Sequence, residues 1–356
     1  MTTKRNIAEG KAAPSDQAVR QRFITELDRN FSVIAPAGVG KTRAIVDRVI
    51  EIATRDFERA REWLPTLVVV TYTNKAADEM NQRARNEIIG RRVDLSVLTQ
   101  FNRAFFGTIH SFCLGLLKNW GHYLGLPAQL ELPEDEDVLW REFVLQLTGV
   151  GRSIPEEARQ RCCRHLPMQS IIELGRKLKP SHYEPAQIAG FPRLDFDRLI
   201  LFTADARNIK SVEAGKQILK NWIKDFESSA GFVPLPDFAK GGQAFVHEWQ
   251  TTFAPLRTWL SEVSWAIAQE LALQYRAFRL AKGKVTYDDQ IELVVQLLRH
   301  PVAGRLLREE GYRIILDEAQ DTDPSQFDVL LELSRSPEAD RHWLHDDSAP
   351  PRTGRF

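Results

Sequence analysis

Apolar residues in this chain follow two rhythms. Short runs of apolar and β-branched residues, Phe31-Ser32-Val33-Ile34, Leu67 to Tyr72, Ala104 to Ile109 and Tyr312 to Leu316, predict buried strands of a parallel sheet covered on both faces. Between them apolar positions recur at helical spacing: Val19, Phe23 and Leu27; Ile45, Val49 and Ile52; Ala77, Met80, Ala84 and Ile88; and Phe112 through Leu117 to Trp120. Ser15-Asp16 is placed to cap the first of these helices. From about Gly121 the strand signal stops, and prolines from Pro127 to Pro255 punctuate helical pieces. The longest helix is expected from Pro255 to Lys282, with Trp259, Val263, Ile267, Leu271, Tyr275 and Phe278 as core packing. After Gly283 the strand-and-helix pattern returns, and Thr286-Tyr287-Asp288-Asp289 has capping-box spacing ahead of Ile291, Val294, Val295 and Leu298.

That alternation predicts an α/β fold in which an all-helical subdomain interrupts a parallel-sheet lobe. The expected division is residues 1–120 with 281–345 as the discontinuous lobe, 121–280 as the insertion and 346–356 as an unstructured tail.

Chemistry concentrates where strands hand over to helices. Ala35-Pro36-Ala37-Gly38-Val39-Gly40-Lys41-Thr42 follows the first expected strand and opens a helix, the setting a phosphate-binding loop requires. Its glycines let backbone N–H groups turn toward phosphate oxygens, and the helix start adds its positive dipole end. Lys41 would reach the β- and γ-phosphates of ATP, and the Thr42 hydroxyl would ligate Mg²⁺. Ala35 stands where the G-x-x-x-x-G-K-[ST] pattern has its first glycine, at the end of the loop that touches nucleotide least. A plain Gly-rich turn is the competing reading of the loop alone. Tyr312 to Leu316 runs into Asp317-Glu318-Ala319-Gln320-Asp321. A carboxylate there suits a hard cation, so Asp317 would hold Mg²⁺ opposite Thr42, and Glu318 could polarise the water that attacks the γ-phosphate. Read alone, the paired acids could be an ordinary helix start.

Composition narrows the partners. Lys plus Arg and Asp plus Glu both number 48 in 356 residues, so a nucleic-acid surface must be a local patch. Three cysteines without a C-x-x-C cannot close a paired disulfide framework, and His165 beside Cys162-Cys163 reads as packing rather than a metal site. With no apolar run long enough for a membrane span and no signal peptide between Met1 and Arg22, a cytoplasmic setting is expected. The acidic run Glu134 to Asp137 precedes apolar helical positions and needs no catalysis to explain it.

Five motifs in order carry a resemblance: residues 35–42, Thr71 to Met80, Gly107-Thr108-Ile109-His110-Ser111-Phe112, Tyr287-Asp288-Asp289, and Leu316 to Phe327. Together they resemble the UvrD/Rep/RecB-type superfamily 1 DNA helicases. The resemblance implies a RecA-like P-loop lobe that uses ATP and Mg²⁺ and unwinds DNA in the full-length family. It implies that Gln17 reads adenine, that Tyr72, Thr73, Asn74, Thr108 and His110 contact single-stranded DNA, and that Gln320 links the γ-phosphate to the motor. A nuclease or a repair or recombination complex is the expected company, with no membrane partner. A P-loop kinase unrelated to DNA is disfavoured by the motifs at 71–80 and 107–112.

Family members continue into a Gly-Asp-x-x-Gln motif and a second lobe that brings arginines to the γ-phosphate. Here Arg341-His342-Trp343-Leu344 could begin the next strand, and the remainder to Phe356 fits neither strand nor motif. The expectation is a truncated product whose reading frame is lost near residue 345, with the missing motif encoded just downstream in another frame. An arginine supplied to such a site is worth on the order of 10³ to 10⁵ in rate. The lobe alone is therefore expected to be an ATP- and DNA-binding fragment of slow turnover.

Overall fold

The computed structural model describes residues 17–36, 38–180, 188–228, 231–339, 341–346 and 348–356. The expected cap Ser15-Asp16 and loop residue Ala37 lie outside them. The chain forms two compact units, one of Met1–Leu132 with Gly283–Phe356 and one of Pro133–Lys282. Both junctions fall later in the chain than the expected 120/121 and 280/281.

In chain order the first unit begins with α1 (Gln17–Thr25), α2 (Lys41–Thr54), α3 (Phe57–Trp63), β1 (Leu67–Val70), α4 (Asn74–Gly90), α5 (Leu95–Phe101), β2 (Phe105–Gly107) and α6 (Ile109–Trp120). The second unit holds α7 (Glu136–Leu145), α8 (Glu156–His165), α9 (Met168–Lys177), α10 (Asp197–Ile200), α11 (Ile209–Glu227) and α12 (Gln243–Ala281). The first then resumes with α13 (Tyr287–Arg299), α14 (Ala303–Glu309), β3 (Arg313–Leu316) and α15 (Pro324–Leu333).

The sheet has the order β2-β1-β3 and is parallel throughout, with Val70 opposite both Gly107 and Leu316. All four residues of β1 are buried, as an uninterrupted apolar run requires when helices cover both faces. Val46, Val49 and Ile50 of α2, Met80 and Ile88 of α4 and Phe101 of α5 pack with Val69 in one core. Parallel pairing puts the exits of all three strands at one end, which is where ligands bind in open α/β sheets.

Residues 31–34 depart from expectation. They form no strand, and Val33 and Ile34 are 54% and 97% exposed. The end of the chain takes the neighbouring place: the Ile314 amide donates to the Arg355 carbonyl at 2.8 Å, and the Phe31 amide donates to that of Phe356 at 3.4 Å. Asn30 Oδ1 accepts from the amides of Arg355 at 3.0 Å and Phe356 at 3.1 Å. Beyond Phe31 the lead-in to the loop therefore has no ladder to join. The tail expected to be unstructured is packed in its described residues, with Phe356 edge-to-face on Phe327 at 5.4 Å. Gly354 has φ 68° and lies so close to the Leu27 carbonyl that a Cβ would sit 2.4 Å from it. Arg341 to Leu344 begins no strand either. The Trp343 amide and indole N–H are drawn back to Glu332 and Asp328, both at 2.8 Å, which bends the segment into a short 3₁₀ turn.

The second unit has its own core of Trp249, Phe253, Leu256, Trp259 and Leu271 from α12 with Trp222 of α11. Helix α12 runs for 39 residues straight through Pro255, so proline does not begin it as expected. Burial of Phe253, Leu256 and Trp259 around Pro255 offsets the lost backbone bond. Asp135 caps α7 by accepting from the amides of Asp137 and Val138, which accounts for the acidic run. His165 bonds the Val233 carbonyl at 2.7 Å beside buried Cys162, a packing role. Among the described residues no three His, Cys, Asp or Glu side chains gather as a metal site, and no helix is long and apolar enough to cross a membrane.

Candidate nucleotide site and strand-exit ledge

The loop before α2 turns on two glycines in the left-handed region, Gly38 at φ 78° and Gly40 at φ 92°, a conformation that side chains resist. Gly40 is the N-cap of α2, so Lys41 and Thr42 form its first turn. Helix α1 sits beside the loop, and Arg20 donates to the Val39 carbonyl at 2.5 Å. Arg48 of α2 holds α1 in place, its guanidinium 5.0 Å from the Phe23 ring and bonded to the Phe23 carbonyl. Gln17 lies exposed one turn before Arg20 at the start of α1.

Across 277 positions of sequence, Lys41 Nζ meets Glu318 Oε2 at 3.1 Å. Gln320 Nε2 donates to the same carboxylate oxygen. Together the Gln320 and Lys41 hydrogen bonds hold the Glu318 carboxyl below its ordinary pKa. Glu318 occupies the left-handed region at φ 54°, unusual for a residue with a side chain. Asp317 is tied into the sheet, its amide donating to the Val70 carbonyl at 2.8 Å and its Oδ1 accepting from the Glu318 amide at 3.1 Å. Burial first, and the neighbouring Glu318 charge second, push the Asp317 pKa up. The structure thus joins Lys41, Glu318 and Gln320 directly, with Thr42 and Asp317 one residue to either side and no hydrogen bond between those two.

This donor set suits a nucleotide and a hard cation. A lysine at a helix start meets one of two paired carboxylates, and nothing lies within 4 Å of where a Gly38 Cβ would be. The raised pKa of Asp317 marks a buried carboxylate whose surroundings supply too little positive charge, a deficit that a cation would remove.

At the neighbouring exits, Tyr72 is 73% exposed just beyond β1, and Thr73 and Asn74 are exposed after it. Thr73 caps α4 by accepting from the Ala76 amide at 3.2 Å. Thr108 and Ser111 form a capping box on α6. Both hydroxyls are thereby committed to helix starts, while Tyr72, Asn74 and His110 are not. One residue near these sites had no flag in the sequence. Arg20 reaches the loop through a backbone carbonyl, which no local pattern announces. Tyr287, expected as part of a helix cap and as the first residue of the Tyr-Asp-Asp motif, lies against His110 with ring centroids 4.9 Å apart.

A parallel sheet with paired acids at one strand exit, beside a glycine-turned loop and its lysine, is the arrangement of a P-loop nucleotide-binding lobe, here with a helical unit inserted in the chain. The chain matches the UvrD/REP helicase N-terminal domain over residues 17–340 and belongs to that family. It is 41% identical over 117 residues to an ATP-dependent helicase/nuclease subunit from Clostridium botulinum, a match of 31% of this chain and 9% of that protein. It is 30% identical over 119 residues to the ATP-dependent DNA helicase SRS2 of Saccharomyces cerevisiae, 33% of this chain and 9% of that protein. The matched stretch thus spans under a tenth of the length of these curated relatives.

Proposed function

We propose that this chain is the nucleotide-binding lobe of an ATP-dependent DNA helicase, binding ATP with Mg²⁺ and single-stranded DNA. The observation that carries the reading is the 3.1 Å pair between Lys41 and Glu318, which sets a phosphate-binding cation against the acid suited to activate water. Lys41 and the backbone of residues 35–40 would bind the triphosphate, and Gln17 on α1 the adenine edge. Thr42 and Asp317 would hold Mg²⁺, which when bound neutralises charge on the β- and γ-phosphates. A bound triphosphate competes for Lys41 and leaves the Glu318 carboxylate free to take a proton from water. That water oxygen bonds phosphorus as the bond to the ADP oxygen breaks. Gln320, on the same carboxylate, would report the γ-phosphate to the rest of the protein.

Tyr72, Thr73, Asn74, Thr108 and His110 would meet single-stranded DNA. Thr73 and Thr108 would act chiefly by fixing the helix starts they cap, and Tyr72 would offer a ring face to a base. One relative's name, a helicase/nuclease subunit, supports a nuclease partner, and a setting in DNA repair or recombination in the cytoplasm belongs to the same proposal.

The test is ATP hydrolysis by the full chain with and without single-stranded DNA. Stimulation by DNA is expected, and Lys41→Ala should abolish nucleotide binding. Nucleotide and DNA binding without turnover would reduce the reading to a binding fragment. Phosphorylation of a small acceptor would overturn it in favour of a kinase.

A further inference from the structure

The end of α13, the turn into α14, and parts of α14 and α15 line a cavity of about 560 Å³, together with residues 337–339, 341 and 342. That is room for a small organic molecule. None of the lining residues belongs to the nucleotide site or to the strand-exit ledge. Val295, Leu298, Pro301 and Val329 give the cavity an apolar wall. Its charged lining consists of Arg299, Arg305, Arg308 and Arg341 with Asp328, Glu332 and Glu338.

The acceptors in this lining are largely engaged within the chain. The Glu332 carboxylate accepts from Arg308 at 3.0 Å, Arg335 at 2.9 Å and the Trp343 amide at 2.8 Å, and Asp328 accepts from the Trp343 indole N–H at 2.8 Å. Glu338 accepts from the Ser336 hydroxyl. Donors, by contrast, are left over. Only 8% of the Arg308 side chain is exposed, yet its Nε has no acceptor among the described residues. His300 Nδ1 accepts from the amides of Val302 at 3.3 Å and Ala303 at 3.2 Å, so its Nε2 carries the ring proton as a further donor. A buried donor without an acceptor is rare enough to call for a partner.

Charge narrows that partner. Leaving the histidines aside, four arginines against three carboxylates give a surplus of one positive charge. A monoanion matches that surplus, whereas a phosphate dianion would bring a second charge beside Asp328 and Glu332 with no cation to pair it. The apolar wall selects a hydrocarbon body.

The geometry points to this cavity as a binding site for a small organic monocarboxylate, one carboxylate oxygen accepting from Arg308 Nε and the hydrocarbon lying against Val295, Leu298, Pro301 and Val329. The site is separate from the nucleotide and DNA reading proposed above and does not depend on it.

The experiment titrates the full chain with benzoate, benzyl alcohol and phenyl phosphate, followed by ligand-detected NMR. Benzoate should bind about tenfold more tightly than either of the others, the worth of a hydrogen bond to a charged group. Saturating ATP with Mg²⁺ should leave benzoate affinity unchanged. Arg308→Met should weaken benzoate about tenfold and leave benzyl alcohol as it was. Should that variant fail to fold, judged by lost helical signal, Arg299→Glu at an exposed position reverses the surplus charge and should show the same selective loss. Undetectable benzoate binding, equal binding of all three compounds, tighter binding of phenyl phosphate, displacement of benzoate by ATP, or full benzoate affinity in the folded variant overturns the site.

Discussion

Glu318 combines an uncommon backbone conformation with a double hydrogen bond to its carboxylate. A non-glycine residue in the left-handed region costs roughly 1 to 2 kcal/mol, and such strain persists only where the surroundings enforce it. Glu318→Gln keeps the shape but removes the proton acceptor. Nucleotide binding should survive while turnover falls by roughly 10² to 10⁴-fold, read by equilibrium binding beside steady-state hydrolysis. Asp317 makes the opposite point about stability. Because the folded protein holds its proton more tightly than the unfolded chain does, ionisation at neutral pH opposes folding. That penalty is absent below the unfolded carboxyl pKa and grows as pH rises through the folded value. Asp317→Asn should therefore melt at a higher temperature than the wild type at pH 7 in EDTA, with the gain shrinking as pH falls into the carboxylate range. Asp317 and Glu318 could be flagged in the sequence because they follow a readable strand end, and Lys41 because it closes a glycine-containing loop pattern, although residues 31–34 form no strand leading into that loop. Arg20 could not, because its contact exists only once α1 meets the loop.

Among the elements, α15 and the segment after it are joined through Arg335. Its side chain is fully buried, bonded to Glu332 at 2.9 Å, to Asp346, and to the Ala349 carbonyl at 2.7 Å. Arg308 meets Glu332 at 3.0 Å from α14. Arg335→Met removes the cation that joins Glu332, Asp346 and the Ala349 carbonyl, and should lower the urea midpoint of the first unit. Pro255 gives the reverse prediction. It is exposed within α12, so Pro255→Ala should restore a backbone bond and stabilise the protein by at most about 3 kcal/mol, raising the melting temperature. Strands β1 and β3 could be read directly from Leu67 to Val70 and Arg313 to Leu316, since unbroken apolar runs leave few other options. The same reasoning failed at Phe31 to Ile34. A strand needs a neighbour, and which segment lies alongside β3 is decided by contacts hundreds of residues apart.

For the molecule as a whole, equal numbers of acidic and basic residues mean that, on the proposed reading, DNA affinity would come from the exit ledge rather than from a general field. Its dependence on salt should be shallow, set by the few phosphates contacted, and measurable as the slope of log affinity against log salt. The change from mixed to all-helical pattern revealed that the lobe is discontinuous. The junctions at 132/133 and 282/283 were harder to place, because Glu131 and Lys284 meet in an isolated bridge outside any periodic segment. The final residues carry a practical consequence. Arg355 and Phe356 lie between Asn30-Phe31 and Ile314, on the approach to the phosphate loop. Asn30→Ala frees both amides and would loosen that approach, so nucleotide affinity measured on such a variant reports on this strap as well as on the loop.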